Sequence, residues 1–192
     1  MEDVVASYAE AARAAVVPVA EVHRVIDALF CAAWDGATWF TLGNGASAAL
    51  ASHMACDLGK GTRVEGCPMV RVVSLADNLA QLTAYGNDAG YEEVFAGQLE
   101  ALARPGDGVI AISASGESPN VLRAAAFARA RGLRVVSLTS LRGRSLRELS
   151  DISLCAPFDD VEHIEDVHVL VHHMIVVGLR HRFTRWRRDP AT

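Results

Sequence analysis

Short apolar runs alternate along the chain with longer segments in which apolar residues recur every three to four positions. The short runs predict strands, and the longer segments have the spacing of amphipathic helices. The predicted strands lie at 38–42, 68–75, 109–112, 135–138 and 152–155. Strands that alternate with helices through short connections favour an α/β fold with a parallel, doubly wound sheet and helices on both faces.

Helices are expected at both ends of the chain. Residues 2–35 carry apolar side chains at helical spacing, including Val4 and Val16, and Pro18 is expected to break or kink this region. A last helix is predicted over 161–183. A helix outside an α/β core needs a cover for its apolar face, so a subunit interface is the natural hypothesis for the N-terminal region.

The segment between the second and third strands is predicted in four pieces. The valine-rich strand at 68–75 is expected to be buried. It is followed by a helix over 77–84 that Asp77 caps, a loop over 86–90 and a helix over 91–103.

The whole chain, 1–192, is predicted to be a single domain. Its 192 residues, 51% of them hydrophobic, suit one α/β domain with a substantial core. Within it, 1–35 is the helical region expected at a subunit interface. Residues 36–186 form the core and closing helix, and 187–192 are expected to be a disordered tail.

Charge and composition exclude some partners. The net charge of −5 argues against nucleic acid, because binding a phosphate backbone needs clustered Lys and Arg. No apolar run approaches the roughly 18 residues of a membrane span, and no signal sequence opens the chain, so a cytoplasmic location without membrane contact is expected. The four cysteines are scattered, which is typical of reduced thiols that pack in the fold.

A glycine turn separates the first strand from an alanine-rich helix. The turn reads G-N-G-A-S over 43–47. Such a turn lets the backbone approach an anion, and the positive end of the helix dipole favours a phosphate there. The hydroxyl of Ser47 can add a donor.

The same turn also fits a dinucleotide fingerprint, since Gly43, Gly45 and Ala48 match G-x-G-x-x-A. A dinucleotide site needs an acidic residue about 20 positions further on, whereas Asp77 lies more than 30 positions beyond Gly43. A second, serine-rich loop over 113–118 suits one phosphate monoester better. The sequence therefore favours a sugar phosphate, and no nucleotide cofactor is expected.

His53 and Asp57 lie four residues apart on the first helix, so their side chains share one face. The simplest alternative is a surface ion pair. The alanine-rich surroundings favour a largely buried helix and hence a polar pair inside a site.

The last helix carries a second group of ionisable residues. Helical spacing aligns Glu165 with His168 and His172 on one stripe, and His173 follows directly. The alternative for this group is a solvated polar face on a long helix.

Three stretches of the chain carry a resemblance to a known family. They read G-N-G-A-S, S-A-S-G-E-S-P-N-V and I-E-D-V-H-V-L-V-H-H. Their order and content resemble the sugar isomerase (SIS) domain, in its phosphoheptose isomerase branch, over nearly the whole chain. The resemblance implies a five-stranded, flavodoxin-like parallel sheet, a homotetramer with active sites between subunits, and isomerisation of sedoheptulose 7-phosphate to a D-glycero-D-heptose 7-phosphate, the manno isomer.

The resemblance also assigns roles to individual residues. Asp57 takes the place of the family's catalytic glutamate and His173 that of its catalytic histidine. Phosphate and substrate positions fall on Asn44, Gly45, Ser47, Asp88, Ser113, Ser115, Ser118, Glu162 and Glu165.

Three positions depart from the family pattern. Asp57 is one methylene shorter than glutamate, Glu165 is charged where the family has glutamine, and Ala114 lacks the usual hydroxyl. The first two leave the stereochemistry of the product open.

The same residues suit a metal ion. Imidazoles of His53 and His173 with carboxylates of Asp57 and Glu165 would form a tetrahedral set suited to zinc, and some family members hold zinc at matching positions. Whether metal binds stays open here, as does whether Asp57 is base or ligand. His172 is the other candidate to face the site.

Ketose–aldose isomerisation moves a proton between C2 and C1 through an enediol and needs one base and one acid. The expectation is that Asp57 acts on the carbon-bound proton and His173 on the oxygens. The alternative is a non-catalytic SIS domain that senses a sugar phosphate or binds a protein. Such a module has no need for the whole polar cluster, which favours an enzyme.

Overall fold

A computed structural model describes residues 2–13 and 18–189. Val16 and the last three residues of the predicted tail lie outside them. The strands are β1 (Thr38–Gly43), β2 (Arg71–Ser74), β3 (Gly108–Ile112), β4 (Arg134–Ser140) and β5 (Ile152–Ala156). They form one parallel sheet in the order β2-β1-β3-β4-β5. The predicted doubly wound fold is confirmed.

Eight α-helices surround the sheet in the described part of the chain. They are α1 (Glu2–Arg13), α2 (Val19–Asp35), α3 (Ala46–Cys56), α4 (Leu79–Asp88), α5 (Ala96–Leu102), α6 (Pro119–Ala130), α7 (Arg144–Glu148) and α8 (Val161–Arg188). Alternate residues of β3 enter opposite layers, as the period of two requires. Ile110 and Ile112 pack with α2, α3 and α8, whereas Val109 and Ala111 pack with α5 and α6.

Strand β2 corrects the prediction of a buried second strand. It lies at the edge of the sheet, begins only at Arg71, and leaves Val73 43% exposed. An edge strand has a neighbour on one side only, so its valines indicate strand propensity rather than burial.

The helix that follows β2 was predicted to begin two residues too early and to end four residues too early. It begins at Leu79, where Asn78 rather than Asp77 caps it by accepting a hydrogen bond from Gln81 N at 3.1 Å. It then continues to Asp88 through the predicted loop and ends before Gly90, which has φ of 98°.

The predicted helix over 91–103 is also interrupted. It consists of a 3₁₀ turn, Tyr91–Glu93, followed by α5.

The long helix α8 packs against α2 and closes the core. Gly178 permits a close approach, because a Cβ there would lie 2.5 Å from Ile26 Cδ1. The rings of Phe30 and Phe183 lie 5.0 Å apart at the same contact. Helix α8 continues to Arg188, two residues into the predicted tail. Within 2–13 and 18–189, no helix combines the length and apolarity that crossing a bilayer requires.

His168 lies inside this core, 1% exposed, with Nε2 3.1 Å from the carbonyl oxygen of Thr139. Burial lowers its pKa to about 4, and the hydrogen bond opposes that shift only in part. In an unfolded chain histidine has a pKa of about 6.5, so between these values the unfolded state binds a proton that the folded state does not. The stability that neutral His168 contributes is therefore lost as pH falls from about 6.5 towards 4.

We expect this residue alone to lower the free energy of unfolding by about 2 kcal/mol between pH 7 and pH 5. Urea titrations at the two pH values, with a chelator present, measure the loss. His168→Gln is less stable at pH 7 but should lose less on acidification than the parent protein does. An equal loss in both proteins would contradict the assignment.

Candidate active site

The first predicted phosphate loop lies where β1 passes into α3. Gly43 permits the helix to start directly against the strand, because a Cβ at this position would lie 2.8 Å from backbone atoms of Ser47. Gly45 has φ of 54° and precedes the helix. The turn therefore needs glycine at both positions and presents the amino end of α3, with Ser47 in its first turn.

The second predicted loop lies beside the first, because β1 and β3 are neighbours in the sheet and run parallel. The hydroxyl oxygen of Ser113 lies 3.4 Å from that of Ser115 and 3.3 Å from that of Ser118. Gly116 N donates to Ser113 Oγ at 3.1 Å, which holds the loop in a tight turn. The three predicted serines thus converge at the start of α6.

A pair of asparagines joins the two loops. Asn44 Nδ2 donates to Asn120 Oδ1 at 2.9 Å, and Asn120 Nδ2 donates back to Asn44 Oδ1 at 2.8 Å. Tyr91 OH also donates to Asn44 Oδ1, at 3.1 Å. The side chain of Asn44, which was predicted to bind phosphate, thus holds the two loops together. Asn120 lies within the second quoted motif, whereas nothing in the sequence pattern singled out Tyr91.

Removal of a loop hydroxyl should weaken substrate binding. On the predicted assignment of the loops, Ser47→Ala and Ser115→Ala each remove a hydrogen bond to a charged phosphate, a contact worth about 1.5 to 3 kcal/mol. We expect KM to rise by about tenfold or more in each variant. Ser150→Ala is the control, because its hydroxyl donates to Leu146 O and belongs to neither loop. Unchanged KM values in both loop variants would mean that the phosphate binds elsewhere.

A cluster of ionisable side chains forms where α3 ends and faces α8. His53 lies in the last turn of α3, and Asp57 opens a π-helical turn, Asp57–Gly61. Such turns are frequent at functional sites. Asp57 Oδ2 lies 3.2 Å from His53 Nε2 and 3.4 Å from His172 Nε2. With His173, the four residues place one potential ligand atom each within 4.8 Å of one another.

The histidines of this cluster differ in environment. The side chain of His172 is 0% exposed, whereas His53 and His173 are exposed. Burial, followed by the neighbouring His53 and His173, lowers the pKa of His172 to about 4, although Asp57 acts in the opposite direction. Although Asp57 Oδ2 lies 3.4 Å from its Nε2, no described residue makes a hydrogen bond of acceptable geometry with either ring nitrogen of His172. At neutral pH it is therefore a neutral imidazole with a lone pair to offer.

The structure does not bring Glu165 into this cluster. Glu165 and His172 lie on one stripe of α8, but seven residues separate them along the helix by about 10 Å. The carboxylates of Glu162 and Glu165 instead lie towards Tyr8 of α1. The hydrogen bond from Tyr8 to Asp166 is the main reason that the pKa of Tyr8 is raised to about 12, and the charges of Glu162 and Glu165 add to this shift.

Asp88 ends α4, and its carboxylate accepts a hydrogen bond from Asn87 at 2.7 Å. Of the four predicted metal ligands, His53, Asp57 and His173 come together, and His172 takes the fourth place.

Comparison with known proteins gives the family of the chain. The family model described as SIS domain matches residues 6–140. The chain belongs to the SIS domain family.

Relatives of this SIS domain carry a more specific name. A phosphoheptose isomerase of Geotalea daltonii is 35% identical over 170 residues, which are 88% of this chain and 87% of the relative. A phosphoheptose isomerase structure from Neisseria gonorrhoeae superposes with a TM-score of 0.83 at 29% identity, over 93% of this chain and 97% of the other. One from Francisella tularensis gives a TM-score of 0.85 at 28% identity, with the same coverage.

Proposed function

We propose that this SIS domain is a phosphoheptose isomerase that interconverts sedoheptulose 7-phosphate and a D-glycero-D-heptose 7-phosphate, with the manno isomer as the aldose. The observation that carries the proposal is the position of two functional groups on one helix. Helix α3 begins in the first phosphate loop and ends in the cluster of His53 and Asp57. The names of the curated relatives and solved structures support the same activity.

The reaction assigns separate roles to Asp57 and His173. Both neighbouring imidazoles approach Oδ2 of Asp57, so Oδ1 remains to take the proton from C1 or C2 and return it to the other carbon. His173 is exposed beside this carboxylate and moves protons at O1 and O2, which keeps charge from accumulating in the enediol. Opening of the sugar ring needs the same kind of proton transfer.

The cluster also fits a zinc ion. Its donor set of imidazole nitrogens and a carboxylate oxygen is the kind that zinc prefers, and the buried nitrogens of His172 lack any other described partner. His53 and Asp57, with histidines of α8, would hold the ion. When bound, zinc would polarise the carbonyl oxygen of the sugar as a Lewis acid.

Proton transfer can be tested without knowledge of the product. Purified protein is incubated with sedoheptulose 7-phosphate in deuterated water, with and without added zinc, and the sugar is analysed by NMR. We expect deuterium at the carbon next to the carbonyl, because an enediol exchanges its proton with the base and the base with solvent. If no deuterium enters under either condition, the domain is not an isomerase of this sugar and a binding role remains.

We further propose that the protein is a homotetramer. Helices α1 and α8 expose apolar side chains that a folded monomer leaves uncovered, namely Val4, Val5, Val169, Leu170 and Val177. Light scattering should therefore give a mass near four times the 20.5 kDa of the chain. A monomer at micromolar concentration would contradict the proposal.

We also propose a cytoplasmic location for the enzyme. All four cysteines lie in the described part of the chain, carry free thiols and are exposed or half-buried. Such thiols suit a reducing compartment.

A further inference from the structure

A chain of hydrogen bonds determines how the side-chain amide of Asn120 is oriented at the start of α6. An amide accepts through its oxygen and donates through its nitrogen, so its orientation follows from its partners. The backbone N–H of Val121 can only donate, and its acceptor is Asn120 Oδ1 at 3.0 Å. Asn120 is 2% exposed, so water has little access to these groups. The atom that faces Val121 N is therefore the amide oxygen.

The orientation of Asn120 determines that of Asn44 in the first loop. Asn120 Oδ1 accepts from Asn44 Nδ2 at 2.9 Å, and Asn120 Nδ2 donates to Asn44 Oδ1 at 2.8 Å. If the amide of Asn44 were turned over, oxygen would face oxygen and nitrogen would face nitrogen. Mispaired polar groups beside a buried residue are unfavourable, so only the observed orientation is compatible with Asn120.

Tyr91 adds a second donor to the oxygen of Asn44. Its hydroxyl lies 3.1 Å from Asn44 Oδ1, and because that oxygen can only accept, the hydroxyl donates. Tyr91 belongs to the 3₁₀ turn after α4, and Glu93 of this turn forms an ion pair of 2.8 Å with Arg123 of α6. The ring lies against α4, since a Cβ at Gly86 would be 3.9 Å from Tyr91 Cδ2. Contacts other than the hydroxyl thus hold Tyr91 in place.

This network leaves one polar hydrogen of Asn44 without a partner. Nδ2 carries two hydrogens, and among the described residues only Asn120 accepts one of them. Asn44 is half-buried and lies in the glycine turn opposite the start of α6, where the phosphate is expected. In this orientation the amide has an N–H to offer to an anion. In the opposite orientation it would offer its oxygen, which repels an anion.

We propose that Asn120 and Tyr91 are positioning residues, which hold Asn44 so that its second N–H donates to the phosphate of the substrate. Asn120 and the Tyr91 hydroxyl act through Asn44 and not through a contact with the sugar. This inference rests on the proposed function for the presence of a sugar phosphate at these loops. The network belongs to the phosphate end of α3, so it governs binding and leaves proton transfer at Asp57 unchanged.

Tyr91→Phe tests the role of the hydroxyl, because it removes that group and keeps the ring. We expect KM for sedoheptulose 7-phosphate to rise by about two- to tenfold, as for the loss of one neutral hydrogen bond, with kcat unchanged. The Kd for inorganic phosphate, measured by ³¹P NMR titration, should rise by the same factor. Tyr85→Phe is the matched control. It removes a tyrosine hydroxyl of α4 that is hydrogen-bonded to no described residue, and it should change neither constant.

A double-mutant cycle separates positioning from direct contact with the substrate. Asn44→Ala should raise KM and the phosphate Kd by more than Tyr91→Phe does. Adding Tyr91→Phe to Asn44→Ala should have no further effect, because the hydroxyl then has no amide to position. Asn120→Ala removes both bonds of the reciprocal pair and should also exceed Tyr91→Phe in its effect. Circular dichroism checks the fold of each variant, and if Asn120→Ala does not fold, the cycle with Tyr91→Phe decides.

Three results would overturn the proposal. They are an unchanged phosphate Kd in Tyr91→Phe, a decrease in kcat without a change in KM, and an undiminished effect of Tyr91→Phe when Asn44 is already alanine. Absence of phosphate binding to the unaltered protein would overturn it as well. Phosphate binding does not require isomerisation, so the phosphate constants test this inference even if no deuterium enters the sugar.

Discussion

Asp57→Asn is expected to lower kcat by about a hundredfold or more while KM changes little. Asparagine keeps the shape of the side chain but removes the carboxylate that we propose as acceptor of the carbon-bound proton, and positioned general bases contribute about 10² to 10⁴ in rate. The phosphate loops lie at the other end of α3, so substrate binding should be largely preserved. Steady-state kinetics with sedoheptulose 7-phosphate separates the two parameters.

Asp57→Glu is the matched control, because it keeps the charge and moves the carboxylate by one carbon. Asp57 Oδ2 lies at 3.2 and 3.4 Å from two imidazoles in the present arrangement, so a longer side chain must displace one of them. We expect a loss of activity or a change in which aldoheptose phosphate forms. A gain in activity would instead mean that the rest of the site is not adapted to the shorter aspartate.

His173→Ala should also reduce kcat by about a hundredfold, with KM largely unchanged, because proton transfer at the sugar oxygens is lost. The exposure of His173 makes a second readout available. Free imidazole can diffuse to the vacated position and should restore part of the rate in proportion to its concentration. The same addition to Asp57→Asn should have no effect.

His181→Ala controls for the general loss of a histidine from α8 and should retain full activity. Wild-type kcat in both Asp57→Asn and His173→Ala would mean that the chemistry lies elsewhere. His172, the other histidine of α8 in the cluster, would then be the next residue to examine.

The sheet could be predicted because its strands are short, apolar and separated by strong turn signals. The run at 109–112 is buried along its length, and the glycines at 43 and 45 marked a turn that the structure shows to need them. The three loop serines were placed by the motif, and the structure brings their hydroxyls together.

Other features depend on distances in space, which the spacing of residue types along the sequence does not give. Angular position on an ideal helix places Glu165 and His172 on one stripe, but the separation of about 10 Å along the axis decides which of them reaches Asp57. The edge position of β2 follows from the order of the strands in space, which the order in the chain does not reveal. The cap at Asn78 competed with an equally suitable Asp77, whose side chain instead accepts a hydrogen bond from Ser52.

Because α3 carries Ser47 near its start and His53 in its last turn, a rigid element would fix the spacing between the proposed phosphate site and the reacting carbons. Six residues of helix span about 9 Å. In the proposed site, a ketose phosphate with fewer carbons would occupy the phosphate loops while its carbonyl stops short of Asp57. We therefore expect pentulose and hexulose phosphates to bind without turnover and to act as competitive inhibitors, so that the helix would select the substrate by chain length.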